Sequence, residues 1–309
     1  MTKQAFVFPG QGSQTVGMLA DLAANYPQIQ TTFSEASEAL GYDLWDLVQN
    51  DENQQLNQTH ITQPALLTAS VAIYRLLLDL GCDKPDYMAG HSLGEYSALV
   101  CAEVISLKEA VKLVEARGQF MQQAVPAGEG AMYAIIGLAD DLILAACEKA
   151  QQQTSEVVSA VNFNSPGQVV IAGTTEAAKV AAELCKEGGA KRALPLPVSV
   201  PSHCALMKPA AEKLSALIES ITFAEPSVTV VNNVDVKSAK DADSIKDALV
   251  RQLYCPVRWT ETIEYLASQN VEKMYEVGPG KVLVGLIKRI NKTIETDSLN
   301  TVESVQKLL

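Results

Sequence analysis

The chain has 309 residues, of which 48% are hydrophobic, and its 36 acidic and 24 basic side chains give a net charge of −12. This length and apolar content suffice for a sizeable core, in one large domain or in a domain with a smaller insertion, and they exclude disordered and fibrous proteins. Nucleic-acid binding requires a concentrated basic surface, whereas the lysines and arginines here are scattered, so no nucleic-acid partner is expected.

The apolar runs and the cysteines indicate in which cellular compartment the protein is located. The first apolar run, Ala5 to Phe8, is too short for the core of a signal peptide, and no later run approaches the roughly 18 apolar residues of a membrane span. The 6 cysteines are widely spaced, without a CxxC pair or a His/Cys cluster. We therefore expect a soluble, cytoplasmic protein with reduced thiols, no membrane partner and no metal site.

Predicted strands and helices alternate through the first part of the chain. An apolar strand from Gln4 to Phe8 ends in a glycine-containing turn. A helix is predicted from Pro64 to Leu80, because proline suits a first helical position and Gly81 supplies a stop. A short strand, Tyr87 to Ala89, and a helix beginning at Ser106 follow. This alternation indicates α/β architecture.

The pattern changes between residues 128 and 200. Its predicted elements follow the order β-α-β-β-α-β of a ferredoxin-like unit. They are a strand from Ala131 to Gly137, a helix from Asp141 to Gln151, two strands joined at Ser165-Pro166-Gly167, a helix from Glu176 to Lys186 and a strand from Ala193 to Val200. We predict that residues 128–200 form an inserted ferredoxin-like subdomain, and that residues 1–127 and 201–309 form the larger subdomain with a parallel sheet.

A candidate nucleophile follows the predicted strand that ends at Ala89. Gly90-His91-Ser92-Leu93-Gly94 matches G-x-S-x-G, the nucleophile elbow of α/β-hydrolases, in which glycines relieve crowding at a strained strand-to-helix turn. The elbow predicts that the larger subdomain is α/β-hydrolase-like and that the Leu93 N–H faces a developing oxyanion. The alternative is an ordinary turn serine.

A serine nucleophile needs a neighbouring base, which is usually a histidine. The chain has 3 histidines. His91 adjoins the serine, so its side chain should point away from it, and His60 lies in a polar stretch. His203 remains as the candidate base, just after a predicted strand and downstream of Ser92. The alternative is a structural histidine.

Arg117 is the sharpest indication of a substrate. It falls three residues after Val114 and seven after Ala110, on the apolar face of its predicted helix. A partly buried guanidinium requires an anion, and the nearby Glu109 and Glu115 do not share its face well. Either a ligand carboxylate or a distant acidic residue within the protein would satisfy it.

The Gly10-Gln11-Gly12 turn is not a nucleotide loop. The next glycine is Gly17, so neither G-x-G-x-x-G nor a Walker sequence is present. The turn is either a plain connection or the source of a second oxyanion donor, the Gln11 N–H opposite Leu93.

The chain resembles the malonyl-CoA:acyl-carrier-protein transacylases over essentially its whole length. Several blocks in a fixed order carry the resemblance, and they are far more specific than one motif. They are FPGQGSQ from Phe8, TQPAL from Thr62, GHSLGE around Ser92, EARG around Arg117, NSPGQ from Asn164, VPSH ending in His203, RQLYCPVRW from Arg251 and VGPGKVL from Val277.

The resemblance implies a ping-pong reaction in which a malonyl group passes from malonyl-CoA to Ser92 and then to the phosphopantetheine thiol of acyl carrier protein. This transfer would supply extender units for fatty-acid biosynthesis. Malonyl-CoA and acyl carrier protein are therefore the expected partners, and no cofactor is expected, since malonyl-CoA is a substrate.

The resemblance also implies a role for individual residues. His203 would activate Ser92 in a Ser–His dyad, and Gln252 would orient His203 through its carbonyl. Backbone N–H groups of Gln11 and Leu93 would bind the oxyanion. Arg117 would pair with the malonyl carboxylate, and Gln63 and Asn162 would be further pocket residues. We also expect Leu93 and Ser202 to shape the acyl pocket.

One position departs from the family pattern. Cys255 stands where the family commonly has asparagine, as in QLYNPV, close to Gln252. The change removes an amide near the histidine-orienting residue, so it either repacks as a small hydrophobe or alters the local pKa.

Three other functions share part of this pattern. A hydrolase would use the same serine and histidine but would give Arg117 no necessary role. A polyketide-synthase acyltransferase domain would be expected within a much longer chain. A carrier-protein scaffold would form no acyl-enzyme. For an acidic carrier protein the overall negative charge is unfavourable, so a basic patch would have to bind it. The densest basic run is Lys281, Lys288, Arg289 and Lys292, whose alternative is a solvated helix face.

Overall fold

The structure is a computed structural model that describes residues 2–198 and 200–309. The strands are β1 (Lys3–Phe8), β2 (Tyr87–Gly90), β3 (Gly130–Ile136), β4 (Val158–Ser165), β5 (Gln168–Thr174), β6 (Arg192–Pro195), β7 (Thr229–Val231), β8 (Val271–Glu276) and β9 (Glu295–Ser298). The helices are α1 (Ala20–Asn25), α2 (Pro27–Leu40), α3 (Leu44–Asn50), α4 (Thr59–Asp79), α5 (Gly94–Cys101), α6 (Leu107–Ala124), α7 (Asp140–Thr154), α8 (Thr175–Glu187), α9 (Lys208–Ile218), α10 (Ala242–Gln252), α11 (Trp259–Ser268), α12 (Val282–Ile290) and α13 (Val302–Leu308), with a 3-10 turn at Ala205–Met207.

The larger sheet is parallel and is covered by helices on both faces. Its strand order is β7-β2-β1-β8-β9. Alternate residues of β1 enter different cores: Phe6 and Phe8 pack with α4 and α6, whereas Ala5 and Val7 pack with α11 and α12. A strand buried on both faces requires the continuous apolar run seen in the sequence. The predicted parallel sheet of an α/β fold is confirmed.

The smaller sheet is antiparallel, with the strand order β4-β5-β3-β6. This is the order of a ferredoxin-like unit and confirms that part of the predicted fold class. Helices α7 and α8 cover one face, while Met132, Val161, Val170 and Ala172 on the other face pack toward Cys204 beside His203. All strands of this sheet lie within residues 130–195. The subdomain boundaries at 128 and 200 stay a prediction.

The two sheets are joined through main-chain hydrogen bonds. Asn162 of β4 pairs in parallel with Val257, the Phe163 N–H donates to the Val257 carbonyl at 3.0 Å, and the Val257 N–H donates to the Val161 carbonyl at 2.8 Å. The smaller sheet is thereby fixed beside the segment that follows Gln252.

Two predicted boundaries were wrong by 5 residues each. Helix α4 begins at Thr59, so Pro64 lies inside it rather than at its first position. The added turn is held by the Thr62 hydroxyl, which donates to the Leu56 and Gln58 carbonyls. Strand β6 ends at Pro195 rather than Val200. The Leu196 N–H still donates to the Met132 carbonyl at 2.9 Å, but the chain then turns back on itself, with the Val198 N–H donating to the Leu196 carbonyl at 2.8 Å.

Helix α4 also corrects the expectation that no segment approaches a membrane span. By length and composition alone it could cross a membrane, but 89% of its most apolar 18-residue window is buried inside the protein. Its apolar residues form the core between α2 and α6. This is the environment of a core helix in a soluble protein.

Candidate active site

The sharp turn between β2 and α5 presents Ser92. Its backbone φ is +52°, in the left-handed region that non-glycine residues rarely adopt. A Cβ at Gly90 would lie 1.8 Å from the Gly94 carbonyl carbon, and one at Gly94 would lie 2.0 Å from the Phe8 carbonyl oxygen. Both glycines are therefore required by close backbone contacts, which is the physical reason for the G-x-S-x-G spacing.

Asn233 holds this turn from the neighbouring strand. Its Oδ1 accepts a 2.8 Å hydrogen bond from the Ser92 N–H, and its Nδ2 donates a 2.6 Å hydrogen bond to the Gly90 carbonyl. The side chain is fully buried. Sequence reasoning missed Asn233. The available signal was its place two residues after β7, because carboxyl ends of adjacent parallel strands meet at one edge of the sheet.

Ser92 and His203 form a hydrogen-bonded pair. The Ser92 Oγ lies 2.8 Å from His203 Nε2, and His203 Nδ1 lies 2.7 Å from the backbone carbonyl of Gln252. Because that carbonyl can only accept, Nδ1 carries the proton and Nε2 is free to accept the serine proton. The backbone of Gln252, rather than its side chain, orients the imidazole.

The surroundings keep His203 neutral. Burial, and secondly the nearby charge of Arg117, lower the pKa of His203 to about 3, against the opposing effect of its hydrogen bond to the Gln252 carbonyl. A neutral imidazole is the form that can remove a proton. The half-buried Cys255 thiol makes no hydrogen bond within the described residues, and the hydrogen bond of His203 Nδ1 is made to the Gln252 carbonyl.

Arg117 is almost fully buried on α6, with 1% of its surface exposed. One terminal nitrogen donates to Gln63 Oε1 at 2.8 Å and the other to Gln252 Oε1 at 3.0 Å, while its Nε has no described partner. The guanidinium also lies over the Tyr96 ring, 5.3 Å from its centroid. Both hydrogen-bond partners are neutral amides, so the described residues leave the cation without a paired carboxylate.

A glycine next to Arg117 brings α6 close to α4. A Cβ at Gly118 would lie 2.5 Å from the His60 Cα, so the two helices touch there through their backbones. Gln63 is one turn further along α4, which explains how it reaches the guanidinium. His60 itself lies near Gln122 at 3.3 Å, away from the nucleophile.

A cavity of about 310 Å³ connects these groups. Ser92, His203, Arg117 and Gln63 lie on its larger-subdomain side. The smaller sheet closes it with residues of β3, β4 and β5, including Met132, Asn162, Asn164 and Val170. The cavity is therefore lined both by a cation and by a serine–histidine pair, as a substrate with a carboxylate near a reactive carbonyl requires.

The two residues predicted to supply oxyanion donors belong to the same cavity. Gln11 and Leu93 both line it, and within residues 2–198 and 200–309 neither N–H donates to a protein acceptor. Ser202 also lines the cavity beside His203. His91 points to the smaller sheet, with its Nε2 2.7 Å from Asn164 Oδ1.

Glu95 is a second buried group that sequence reasoning missed. Its Oε2 accepts hydrogen bonds from the Asn233 N–H at 3.0 Å and from Gln252 Nε2 at 2.8 Å. Burial raises the pKa of Glu95 to about 7, opposed by these hydrogen bonds and by the charge of Arg117. Its position at the end of GHSLGE gave no indication of these distant partners.

The chain matches the family of the acyl transferase domain over residues 5–307. It is 65% identical over 300 residues to the malonyl CoA-acyl carrier protein transacylase of Escherichia coli strain K12, covering 97% of this chain and 96% of the relative. The chain belongs to the malonyl CoA-acyl carrier protein transacylase family. The resemblance seen in the sequence blocks is confirmed, and the protein is an acyltransferase.

Solved structures agree with this family. The chain is similar to an acyl carrier protein S-malonyltransferase from Vibrio cholerae, with 63% identity, a TM-score of 0.97 and 100% of each chain covered. It is also similar to a malonyl-transacylase in complex with a type II polyketide-synthase acyl-carrier protein, with 58% identity, a TM-score of 0.98 and 100% and 99% of the two chains covered.

Proposed function

We propose that the protein transfers a malonyl group from malonyl-CoA to the phosphopantetheine thiol of acyl carrier protein and so supplies extender units for fatty-acid biosynthesis. The observation that carries this proposal is the shared cavity of Ser92, His203 and Arg117, in which the guanidinium has only neutral amide partners. Membership of the family agrees with it.

In the first half-reaction His203 accepts the Ser92 proton as the serine oxygen attacks the malonyl thioester. The N–H groups of Leu93 and Gln11 stabilise the oxyanion of the tetrahedral intermediate, because preformed donors in a closed cavity need no reorganisation. The imidazolium then protonates the departing sulfur of coenzyme A. A malonyl ester on Ser92 remains.

Arg117 selects the acyl group. A malonyl carboxylate supplies the directly hydrogen-bonded anion that the guanidinium lacks, whereas an acetyl group leaves the buried cation with amide partners alone. Gln63 and Gln252 hold the guanidinium from the sides, and Asn162 adds a polar group to the opposite wall. The second half-reaction repeats these steps with the carrier-protein thiol as nucleophile, and neither half requires a cofactor.

The carrier protein would dock at the rim formed by α12. Val282, Leu283 and Leu286 of this helix line the cavity, and Val282 is 53% exposed. Lys281, Lys288, Arg289 and Lys292 lie on or next to the same helix, where they would attract an acidic partner despite the net charge. We place the protein in the cytoplasm, where coenzyme A thioesters and carrier proteins meet.

The recipient thiol has a second candidate. The relative solved with a type II polyketide-synthase carrier is 58% identical to this chain, so a polyketide carrier is an alternative acceptor to a fatty-acid carrier. Equal concentrations of the two carriers, mixed with malonyl-enzyme, would show the preferred acceptor by mass spectrometry.

Intact-protein mass spectrometry tests the main proposal. Brief mixing with malonyl-CoA should add one malonyl group to the wild-type chain and none to Ser92→Ala, and later addition of holo carrier protein should move that mass to the carrier. Release of free malonate from the wild-type chain, with no transfer to the carrier, would identify a hydrolase instead. An unmodified wild-type chain with intact malonyl-CoA would indicate a scaffold without activity.

A further inference from the structure

Gln252 accepts hydrogen bonds from two functional side chains. Its side-chain Oε1 accepts from Arg117, while its backbone carbonyl accepts from His203. A side-chain amide can rotate by half a turn at little cost unless its surroundings distinguish oxygen from nitrogen. A rotated amide would set its NH2 group against the guanidinium, donor against donor, and Arg117 would lose that support.

Glu95 and the Ser92 carbonyl prevent this rotation. Gln252 Nε2 lies 2.8 Å from Glu95 Oε2 and 3.1 Å from the Ser92 carbonyl oxygen. Both groups are acceptors, so together they admit only the NH2 end of the amide. Glu95 is itself fixed, because its Oε2 also accepts the Asn233 N–H at 3.0 Å.

Burial makes this arrangement costly to disturb. Glu95 is 2% exposed, and Gln252 and Asn233 are fully buried, so no solvent can replace a lost partner. Glu95 lies outside the cavity lining, whereas Arg117 belongs to it. The hydrogen bonds of Glu95 therefore lead to the acyl group through Gln252 and Arg117, and to the nucleophile turn through the Asn233 N–H.

We propose that Glu95 is a positioning residue for acyl-group selection: it fixes the amide of Gln252, which in turn holds the Arg117 guanidinium in place for the malonyl carboxylate. This inference rests on the malonyl transfer proposed above. Asn233 has a different task, since its side chain binds the backbones of Gly90 and Ser92 in the nucleophile turn and forms no hydrogen bond with Gln252 or Arg117.

The test compares kcat/KM for acylation by malonyl-CoA and by acetyl-CoA. Glu95→Leu should lower the malonyl-to-acetyl ratio by roughly tenfold, as expected for the loss of a buried hydrogen bond to a charged group. Glu95→Gln should retain most of the ratio, because its amide oxygen can still accept from Gln252. In an Arg117→Ala background Glu95→Leu should leave the ratio unchanged, since the group through which it acts is gone.

Asn233→Ala is the matched control, a neighbouring buried polar side chain that contacts the nucleophile turn. It should lower both acylation rates by a similar factor and keep their ratio. The proposal is overturned if Glu95→Leu also lowers both rates equally, or if it changes the ratio as much without Arg117 as with it.

A crystal structure of Glu95→Leu gives a readout that needs no activity. The proposal expects the Gln252 amide to turn and the Arg117–Gln252 hydrogen bond to be lost, and an unchanged pair would overturn it. Should the Glu95→Leu variant fail to fold, the ratio of Glu95→Gln decides, because a fall as large as that of Arg117→Ala would contradict an acceptor role. If wild type forms no malonyl-serine, the transfer proposal fails, while the crystal structure still decides the role of Glu95.

Discussion

The two subdomains contribute to the cavity in different ways. The larger one supplies Ser92, His203 and Arg117, each fixed by hydrogen bonds to partners distant in the chain. The smaller sheet contributes mainly a wall of side chains, such as Met132 and Val170, packed by apolar contact. The reaction therefore depends on hydrogen-bond geometry in the larger subdomain. Selectivity for the shape of the acyl group depends on side-chain volume in the smaller sheet.

The largest effect should follow from removing the base in the larger subdomain. His203→Ala leaves the Ser92 proton without an acceptor, so kcat for malonyl transfer should fall by about 10⁴ to 10⁶. Single-turnover mass spectrometry measures this rate. A fall of less than about tenfold would show that another group activates Ser92.

Arg117→Ala should have the next largest effect and should act on selection. Loss of the buried cation should lower kcat/KM for malonyl-CoA by about 10² to 10³-fold, whereas kcat/KM for acetyl-CoA should fall far less. A competition assay with both thioesters gives the ratio directly. Equal losses for the two substrates would mean that Arg117 supports the fold rather than the carboxylate.

The same substitution should change the titration of His203. The guanidinium repels the imidazolium and so contributes to the lowered pKa of this residue. Removing the cation should therefore raise the His203 pKa, although burial still holds it below the ordinary value. An NMR titration of the ring in both proteins tests the sign, and an unchanged or lower pKa in Arg117→Ala would contradict the assigned cause.

The glycines of the elbow should matter more to stability than glycines elsewhere. An added Cβ at Gly90 would overlap the Gly94 backbone, so Gly90→Ala should lower the free energy of unfolding by about 3 kcal/mol or abolish folding. Gly285 in α12 is the matched control, since a Cβ there meets nothing within 4 Å. In denaturant unfolding, Gly285→Ala should leave the free energy of unfolding unchanged or raise it. An equal decrease in that free energy for both variants would contradict the steric role assigned to Gly90.

The smallest effect should come from the smaller sheet. Val170→Ala removes volume from the cavity wall without touching the hydrogen-bonded groups. It should raise the relative rate with methylmalonyl-CoA by roughly fourfold, the value of about one buried methylene, and leave the malonyl rate nearly unchanged. A large loss with malonyl-CoA would show that the smaller sheet also positions the reacting groups.

Much of this arrangement could be predicted from sequence. Ser92 could be found because glycines mark the elbow, His203 because few histidines compete with it, and Arg117 because its charge interrupts an apolar helix face. The parallel and antiparallel sheets followed from the order of strands and helices.

The supporting residues could not be predicted in the same way. Glu95 and Asn233 bind groups 157 and 141 positions away in the chain, at Gln252 and Ser92, and no local pattern encodes such pairings. The start of α4 was also missed, because hydroxyl hydrogen bonds add a turn before Pro64. These are properties of tertiary contact rather than of local propensity.

The most direct test is a crystal structure of the malonyl-enzyme, trapped with malonyl-CoA in the absence of carrier protein. The ester should be on Ser92, with its carboxylate on Arg117 and its carbonyl oxygen facing the N–H groups of Leu93 and Gln11. A malonyl ester on Ser92 whose carboxylate points away from Arg117, or an ester on another residue, would contradict the account.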